Sequence, residues 1–259
     1  MDISLYFEPV PEYIFSNLIP GKPVIGNTIK VFHEGGEFPE PAEYDIALIG
    51  VPDERGALNN EGCEHAPDEF RKYIYELFPG AWSARIADLG NLKKGHTDND
   101  TIFALAEVMS YLIGNKIFPI IIGGSQSLTF GMYKAYESLE KIINISVVDP
   151  RFDLGGGSPA ELHSQNYLSK IILLKPNYLF NFTNIGYQTY FVDQAEIELM
   201  NKLLFDSYRL GQINNDFKEV EPLVRNADLI SFDIGAIRAA DAPGNGNSSP
   251  VHGNRHRIL

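Results

Sequence analysis

The chain has 259 residues, with 21 Lys and Arg against 34 Asp and Glu, giving a formal net charge of −13. Hydrophobic residues make up 44% and charged residues 21%, with Gly and Pro scattered rather than repeated, so collagen-like, disordered and coiled-coil classes are excluded. The acidic balance argues against a nucleic-acid partner, because that affinity comes largely from Lys and Arg displacing condensed counterions.

Residues 1–43 are rich in Pro, Gly and aromatics without a sustained period, and are expected to form an irregular N-terminal arm packed on the domain that follows, 44–259. The apolar run Asp45–Val51 reads as a strand buried on both faces, and similar runs follow at Ile117–Ile122, Ile142–Val148 and Leu229–Phe232. Weaker strand candidates are Arg85–Leu89, Leu179–Ile185 and Phe205–Arg209. Helical patterns span Pro67–Leu77, Asn99–Ile113, Leu128–Leu139 and Gln194–Leu204, the last opened by Asp193 and Glu196 at capping-box spacing. Strands alternating with helices predict an α/β fold, a mostly parallel sheet with helices on both faces. Ligands then bind beyond the carboxyl ends of the strands.

Cys63 is the single cysteine, so the chain has no internal disulfide and no cysteine-built zinc site; a small buried hydrophobe is the expected role. The N-terminus lacks a signal-peptide pattern, and no run reaches the roughly 18 apolar residues of a membrane span. A soluble, cytoplasmic protein with no membrane partner is expected.

The strand ends carry the chemistry. Gly123-Gly124-Ser125-Gln126-Ser127 follows one apolar run, Asp149-Pro150-Arg151-Phe152-Asp153 the next, and Asp233-Ile234-Gly235 with Arg238 the last. Three carboxylates, Asp149, Asp153 and Asp233, can meet at one rim, where they repel and call for positive charge. That charge is either a hard metal ion with oxygen ligands or the guanidiniums of Arg151 and Arg238.

These segments resemble the metal motifs of the ureohydrolase superfamily of arginase, agmatinase and formimidoylglutamase. Gly50-Val51-Pro52 through Gly56 and Gly62 to Phe70-Arg71 is similar to the family's opening strand, loop and helix, and Ala242-Pro243-Gly244 with Gly246 to its APGxG. The family's GGDHS, DAHxD and SxDxDxxDP read here as GGSQS, DPRFD and SFDIGAIRA. The resemblance implies a three-layer α/β/α domain and a two-manganese centre whose bridging hydroxide attacks a guanidino or formimino carbon.

The same resemblance places Asp149, Asp153 and Asp233 at ligand positions. It puts Gln126 at the first histidine, Arg151 at the second histidine, Gly235 at the fourth aspartate and Arg238 at the aspartate of the DP pair. Gln126, Asp149, Asp153 and Asp233 leave oxygens for at most one divalent ion, Mn or Mg, and the second metal of the pair is expected to be missing. No other cofactor is expected. The implied reading is a pseudoenzyme with a structural, assembly or ligand-binding role, in which Arg151 and Arg238 neutralise the three carboxylates. The alternative is a single-metal hydrolase of a linear guanidino or formimino C–N bond. A homo-oligomer and a small guanidino or formimino ligand are the expected partners.

The family continues past APGxG, whereas this chain reaches Leu259 through Val251-His252-Gly253-Asn254-Arg255-His256, which reads as a truncated or frameshifted end. His252 and His256 stand at helical metal spacing, but Gly253 and Asn254 oppose a helix there. His163 occupies a segment where the family often carries a substrate-loop histidine, and its flanks favour a surface role. His65 in the first loop reads the same way.

Overall fold

The computed structural model describes residues 1–155 and 161–247. The chain divides into two compact units: residues 1–55 with 62–135, and residues 56–61 with the chain from Tyr136 onward. The expected α/β fold with mostly parallel pairing holds in both units, whose strands form separate sheets. The pair His252 and His256 lies outside the described residues.

In the first unit the order is β1 (Phe7–Glu8), α1 (Ile25–Thr28), β2 (Lys30–Val31), β3 (Ile46–Val51), α2 (Ala66–Ile74), β4 (Ile86–Leu92), α3 (Asp98–Gly114), β5 (Phe118–Gly123) and α4 (Leu128–Ser138), which leads into the second unit. The sheet runs β1-β4-β3-β5, with β2 also on β4. All pairings but β1 with β4 are parallel. The arm is thus more regular than its composition suggests: two dipeptide strands, too short to show a period, pair with β4. It is held by a cluster of Val10, Ile14, Ile25 and Val31 around the buried ring of Tyr75.

Helix α3 begins where Thr97 and Asp100 cap each other, Thr97 Oγ1 accepting from the Asp100 amide at 3.2 Å and the Asp100 carboxylate from the Thr97 amide at 2.7 Å. Helix α2 stops at Ile74, short of the predicted Leu77, because the chain turns there: the Leu77 amide donates to Ile74 O at 3.1 Å, and Pro79 follows.

Burying a charge is the costly step in this unit. Arg71 on α2 and Asp88 on β4 are 1% and 0% exposed. The guanidinium forks onto the carboxylate, with Nε and Nη2 both at 2.8 Å, while Nη1 donates to Asn91 Oδ1 at 2.5 Å and Nη2 to Gly90 O at 2.9 Å. Tyr75 OH at 2.8 Å and the Gly90 amide at 2.9 Å complete the shell of Asp88. This network fixes the glycine at 50, since a Cβ there would stand 2.0 Å from Asn91 Oδ1.

A second ion pair closes the loop after β3. Asp53 accepts from Arg55 Nε at 3.0 Å, and the guanidinium also reaches Gly95 O, His96 O, Thr97 O and Thr101 Oγ1. Burial pushes the Asp53 carboxyl up, but the hydrogen bonds from Arg55 outweigh it and hold it below its ordinary value.

The second unit contains β6 (Ile143–Val148), α5 (Tyr167–Leu173), β7 (Leu179–Tyr187), α6 (Gln194–Lys202), β8 (Asp206–Arg209), α7 (Leu210–Asn215), α8 (Val220–Arg225) and β9 (Leu229–Phe232). Its sheet runs β8-β7-β6-β9, parallel throughout. Helix α6 opens with the predicted capping box of Asp193 and Glu196. Ile145, Phe182, Leu168, Ile171 and Met200 are fully buried, each side chain of this kind contributing about 1.5–3 kcal/mol.

Two apolar runs are less covered than their sequence predicts. Phe118 and Ile120 on β5 are 62% and 38% exposed, and Ile230 and Phe232 on β9 are 41% and 44% exposed. The reason is position: each is the last strand of its sheet, β5 pairing with β3 and β9 with β6 among the described residues.

Arg71→Ala is expected to destabilise the protein by about 3–5 kcal/mol in urea unfolding, because Asp88 would be left charged and buried without its partner. For Asp53, whose folded value is depressed, stability from the Arg55 pair is present above the ordinary carboxylate value of about 4 and is lost as pH falls through the lower folded value. Asp53→Asn should flatten the loss of stability on acidification below about pH 4, read as the pH dependence of the urea midpoint.

Candidate functional site

The parallel register of the second unit brings three strand ends together. Val148 at the end of β6 lies opposite Ile185 on β7 and Phe232 on β9. The Asp233 amide donates to Val148 O at 3.0 Å and the Asp149 amide to Ile185 O at 3.1 Å, so the two aspartates leave adjacent strands at the same level. Asp149 is 1% exposed and spends Oδ1 on the Arg151 amide at 2.7 Å. Asp233 caps the short turn Ile234–Ala236, with Oδ1 accepting from the Gly235 amide at 2.6 Å.

Asp153 completes the predicted trio. Its backbone is left-handed, with φ of +54°, and its carboxyl is buried with Oδ2 lacking a hydrogen-bond partner among the described residues. Burial, then the charges of Asp149 and Asp233 and a hydrogen bond with Asp149, push the Asp153 carboxyl well above its ordinary value, against the opposing pull of Arg151. Burial also raises Asp233, with the Gly235 amide and Arg151 acting the other way.

The two arginines expected to neutralise the trio sit in different surroundings. Arg238 pairs with Asp241, Nη2 to Oδ2 at 2.7 Å and Nε at 3.0 Å, a short-range partner three residues along the same turn. Arg151 is the guanidinium whose charge reaches Asp153 and Asp233. Yet its Nη1 donates to Phe191 O at 3.1 Å and its plane lies 4.9 Å from the Phe191 ring centroid. Among the described residues it forms no ion pair within 4.0 Å. The loop after β7 holds the head of Arg151 through Phe191, while its charge still favours the ionised forms of Asp153 and Asp233.

Gly235 supplies no ligand atom and little room for one. A Cβ at that position would lie 3.1 Å from Asp233 Oδ1 and 3.3 Å from Asn245 Nδ2. Gln126 sits in the first unit, in the turn between β5 and α4, beside the hydrogen-bonded pair Ser125 and Ser127 at 2.8 Å. Among the described residues, no three His, Cys, Asp or Glu side chains converge into a metal-holding group.

Several participants had no motif to announce them. Tyr167, the first residue of α5, is 0% exposed with its hydroxyl unpartnered among the described residues, and burial together with the charges of Asp153, Asp149 and Asp233 drives its pKa far up. Asn184 on β7 donates from Nδ2 to Arg151 O at 2.7 Å and, among the described residues, leaves Oδ1 buried and unpartnered. His163 is buried at 6% exposure, contrary to the surface role expected, with Nδ1 accepting from the Gln165 amide at 3.2 Å and its own amide donating to Asn166 Oδ1 at 2.9 Å. The Asn166 side chain ties down the backbone there, its Nδ2 also donating to Glu161 O at 2.8 Å, a local contact that spacing does not reveal. His65 is exposed, as expected. Cys63 is half-buried, its thiol pushed up to about 11 by burial and then by Glu54, so it is not a ready nucleophile. The Ala242-Pro243-Gly244 segment leads to a docked turn, where the Gly246 amide donates to Asn60 Oδ1 at 2.7 Å and Asn247 Nδ2 to Leu58 O at 2.9 Å.

No helix among the described residues is long and apolar enough to cross a membrane. The sequence pattern of the arginase family matches residues 44–256. A formimidoylglutamase of Geobacillus sp. (strain WCH70) is 23% identical over 231 residues, covering 83% of this chain and 70% of the relative. The crystal structure of formimidoylglutamase from Bacillus subtilis superposes with a TM-score of 0.74 at 18% identity, over 90% of this chain and 77% of that one. The Trypanosoma cruzi formiminoglutamase, solved with Mn2+, gives 0.73 at 17% identity over 82% and 77%. The agmatine ureohydrolase of Thermoplasma volcanium gives 0.68 at 22% identity over 83% and 75%. By its sequence pattern over most of its length, and in agreement with the α/β fold and the acidic strand ends, the chain belongs to the arginase family.

Proposed function

We propose that this arginase-family chain is a non-hydrolytic member in which the dinuclear manganese site has been dismantled, leaving a structural, assembly or ligand-binding role in the cytoplasm. The observation that carries the reading is the pair of replacements beside Asp149 and Asp233. Arg151 brings a group that cannot lose its proton to a histidine position, and Gly235 removes a carboxylate while its amide occupies Asp233 Oδ1 at 2.6 Å. A bridging hydroxide needs two metal ions to lower the pKa of its parent water and to stabilise developing charge. With the second ion's ligands reduced to two aspartates next to a fixed cation, that chemistry has no support. A homo-oligomer and a small guanidino or formimino ligand fit this reading as partners.

One observation favours a second reading, a hydrolase of a linear guanidino or formimino C–N bond working with one ion. Asp153 Oδ2 is a buried carboxyl oxygen without a hydrogen-bond partner among the described residues, which suits a hard cation.

The two readings separate in one assay. After purification with excess Mn, metal content per chain is measured together with release of urea, formamide or ammonia from arginine, agmatine, guanidino acids and formiminoglutamate. The expected outcome is fewer than two ions per chain and no turnover; two ions with turnover would defeat the proposal, and one ion with turnover would establish the second reading. Arg151→Ala should cost about 1–2 kcal/mol in urea unfolding, the worth of a charged hydrogen bond and a ring contact. A loss of about 3–5 kcal/mol would mean that the carboxylates rest directly on this guanidinium.

A further inference from the structure

We infer that the outer side of α2 and the loop that leaves it, in the first unit, form the face on which a second copy of this chain docks about a two-fold axis. The inference rests on the homo-oligomer put forward above for its partner, and it is independent of whether the chain hydrolyses anything.

Helix α2 buries one side in the usual way, through Pro67, Arg71 and then Tyr75 just past its end. Its other side is apolar as well. Phe70, Tyr73 and Leu77 follow at intervals of three and four residues, the spacing of one side of a helix. The turn continues past Ile74, the Glu76 amide donating to Tyr73 O at 3.2 Å and the Leu77 amide to Ile74 O at 3.1 Å. Phe78 comes next, and Trp82 follows in the loop with its ring against Gly80, where a Cβ would stand 2.8 Å from the indole. These five side chains are between 37% and 74% exposed. The segment is also held in place. The Ile25 amide donates to Leu77 O at 2.8 Å, the Gly26 amide to Tyr75 O at 3.0 Å, and Lys22 Nζ stands 5.3 Å from the centroid of the Phe78 ring. A pre-ordered face loses little freedom on docking.

The area fits a dimer. With aromatic side chains of about 150–250 Å² each, four of them and Leu77 at these exposures present about 500 Å² of apolar surface. One side of a standard stable interface covers about 800 Å², of which about 56–65%, or roughly 450–520 Å², is apolar. Five side chains thus meet the apolar requirement of one partner, and they are of the types that dominate interface centres.

Charge selects a second copy as the occupant. The chain carries −13 overall, so two copies repel on average. This face is balanced instead. Residues 66–82 hold Asp68, Glu69 and Glu76 against Arg71 and Lys72, and Lys22 over Phe78 brings a third cation. Lys72 pairs with Glu69 at 2.5 Å and Arg71 with Asp68 at 3.3 Å. Such a surface does not repel itself, and it offers a strongly charged partner little to hold. A two-fold contact sets the same apolar patch against its own copy, which is the self-complementary form of a closed dimer.

Trp82 is the single tryptophan of the chain, so its fluorescence reports this face alone. The full chain is followed over a dilution series by sedimentation velocity and by tryptophan emission. The expected result is a dimer whose dissociation on dilution coincides with a red shift of the emission, and a dissociation constant about tenfold or more higher in Tyr73→Glu. Phe180→Glu, at a comparably exposed position in the second unit, should change neither readout. If Tyr73→Glu does not fold, Trp82→Ala followed by sedimentation gives the same decision. A parent that stays monomeric at every concentration would overturn the inference, whatever other macromolecule binds it. So would an assembly of any size that Tyr73→Glu leaves intact, or an emission that ignores dissociation. Each of these outcomes leaves the non-hydrolytic reading standing, since that reading answers to metal content and turnover.

Discussion

Acidic side chains at the ends of neighbouring parallel strands repel one another, and the second unit is organised around that repulsion. Parallel pairing of β6 with β7 and β9 sets Asp149 and Asp233 at one level, and the left-handed turn at Asp153 adds a third carboxyl. A parallel sheet cannot spread these groups apart without losing its register. Something positive or a proton has to enter, and the choice between them decides what the protein does.

The first unit meets the same difficulty with a different outcome. Asp88 is as deeply buried as Asp149, yet the fork of Arg71, the Tyr75 hydroxyl and the Gly90 amide surround it. Its position is satisfied by protein groups alone. At the strand ends of the second unit the described protein groups stop short: among them Asp153 Oδ2, Asn184 Oδ1 and the Tyr167 hydroxyl find no partner, and the guanidinium of Arg151 is turned toward Phe191. Complete satisfaction marks a structural network, whereas incomplete satisfaction marks a place built for something else.

The alternation of apolar runs and helical periods made the α/β architecture legible in the sequence, because buried parallel strands have little choice but to be continuously apolar. The capping box at Asp193 was legible for the same local reason. The arm was not, since β1 and β2 are two residues each and draw their stability from β4, far along the chain. At the site, the motifs located Asp149, Asp153 and Asp233, but not the direction in which Arg151 and Arg238 would point. Side-chain direction depends on Phe191 and on Asp241, partners that substitution patterns do not name. Tyr167 was silent for a related reason: a lone aromatic after Gln165-Asn166 looks like any core residue, and its burial and the pull of the acids on its phenol emerge only in the folded chain.

The two outermost strands have a consequence of their own. β8, at one edge of its sheet, carries Asp206 and Arg209, charges of the kind that deter stray pairing, whereas the sequence of β9 is Leu-Ile-Ser-Phe and that of β5 is Phe-Pro-Ile-Ile-Ile-Gly. Among the described residues these two outer edges carry neither a charged side chain nor a further strand, a rim of the kind that can accept an extended chain. At high concentration, pairing along those two seams is a mode of self-association that the surplus of negative charge has to oppose.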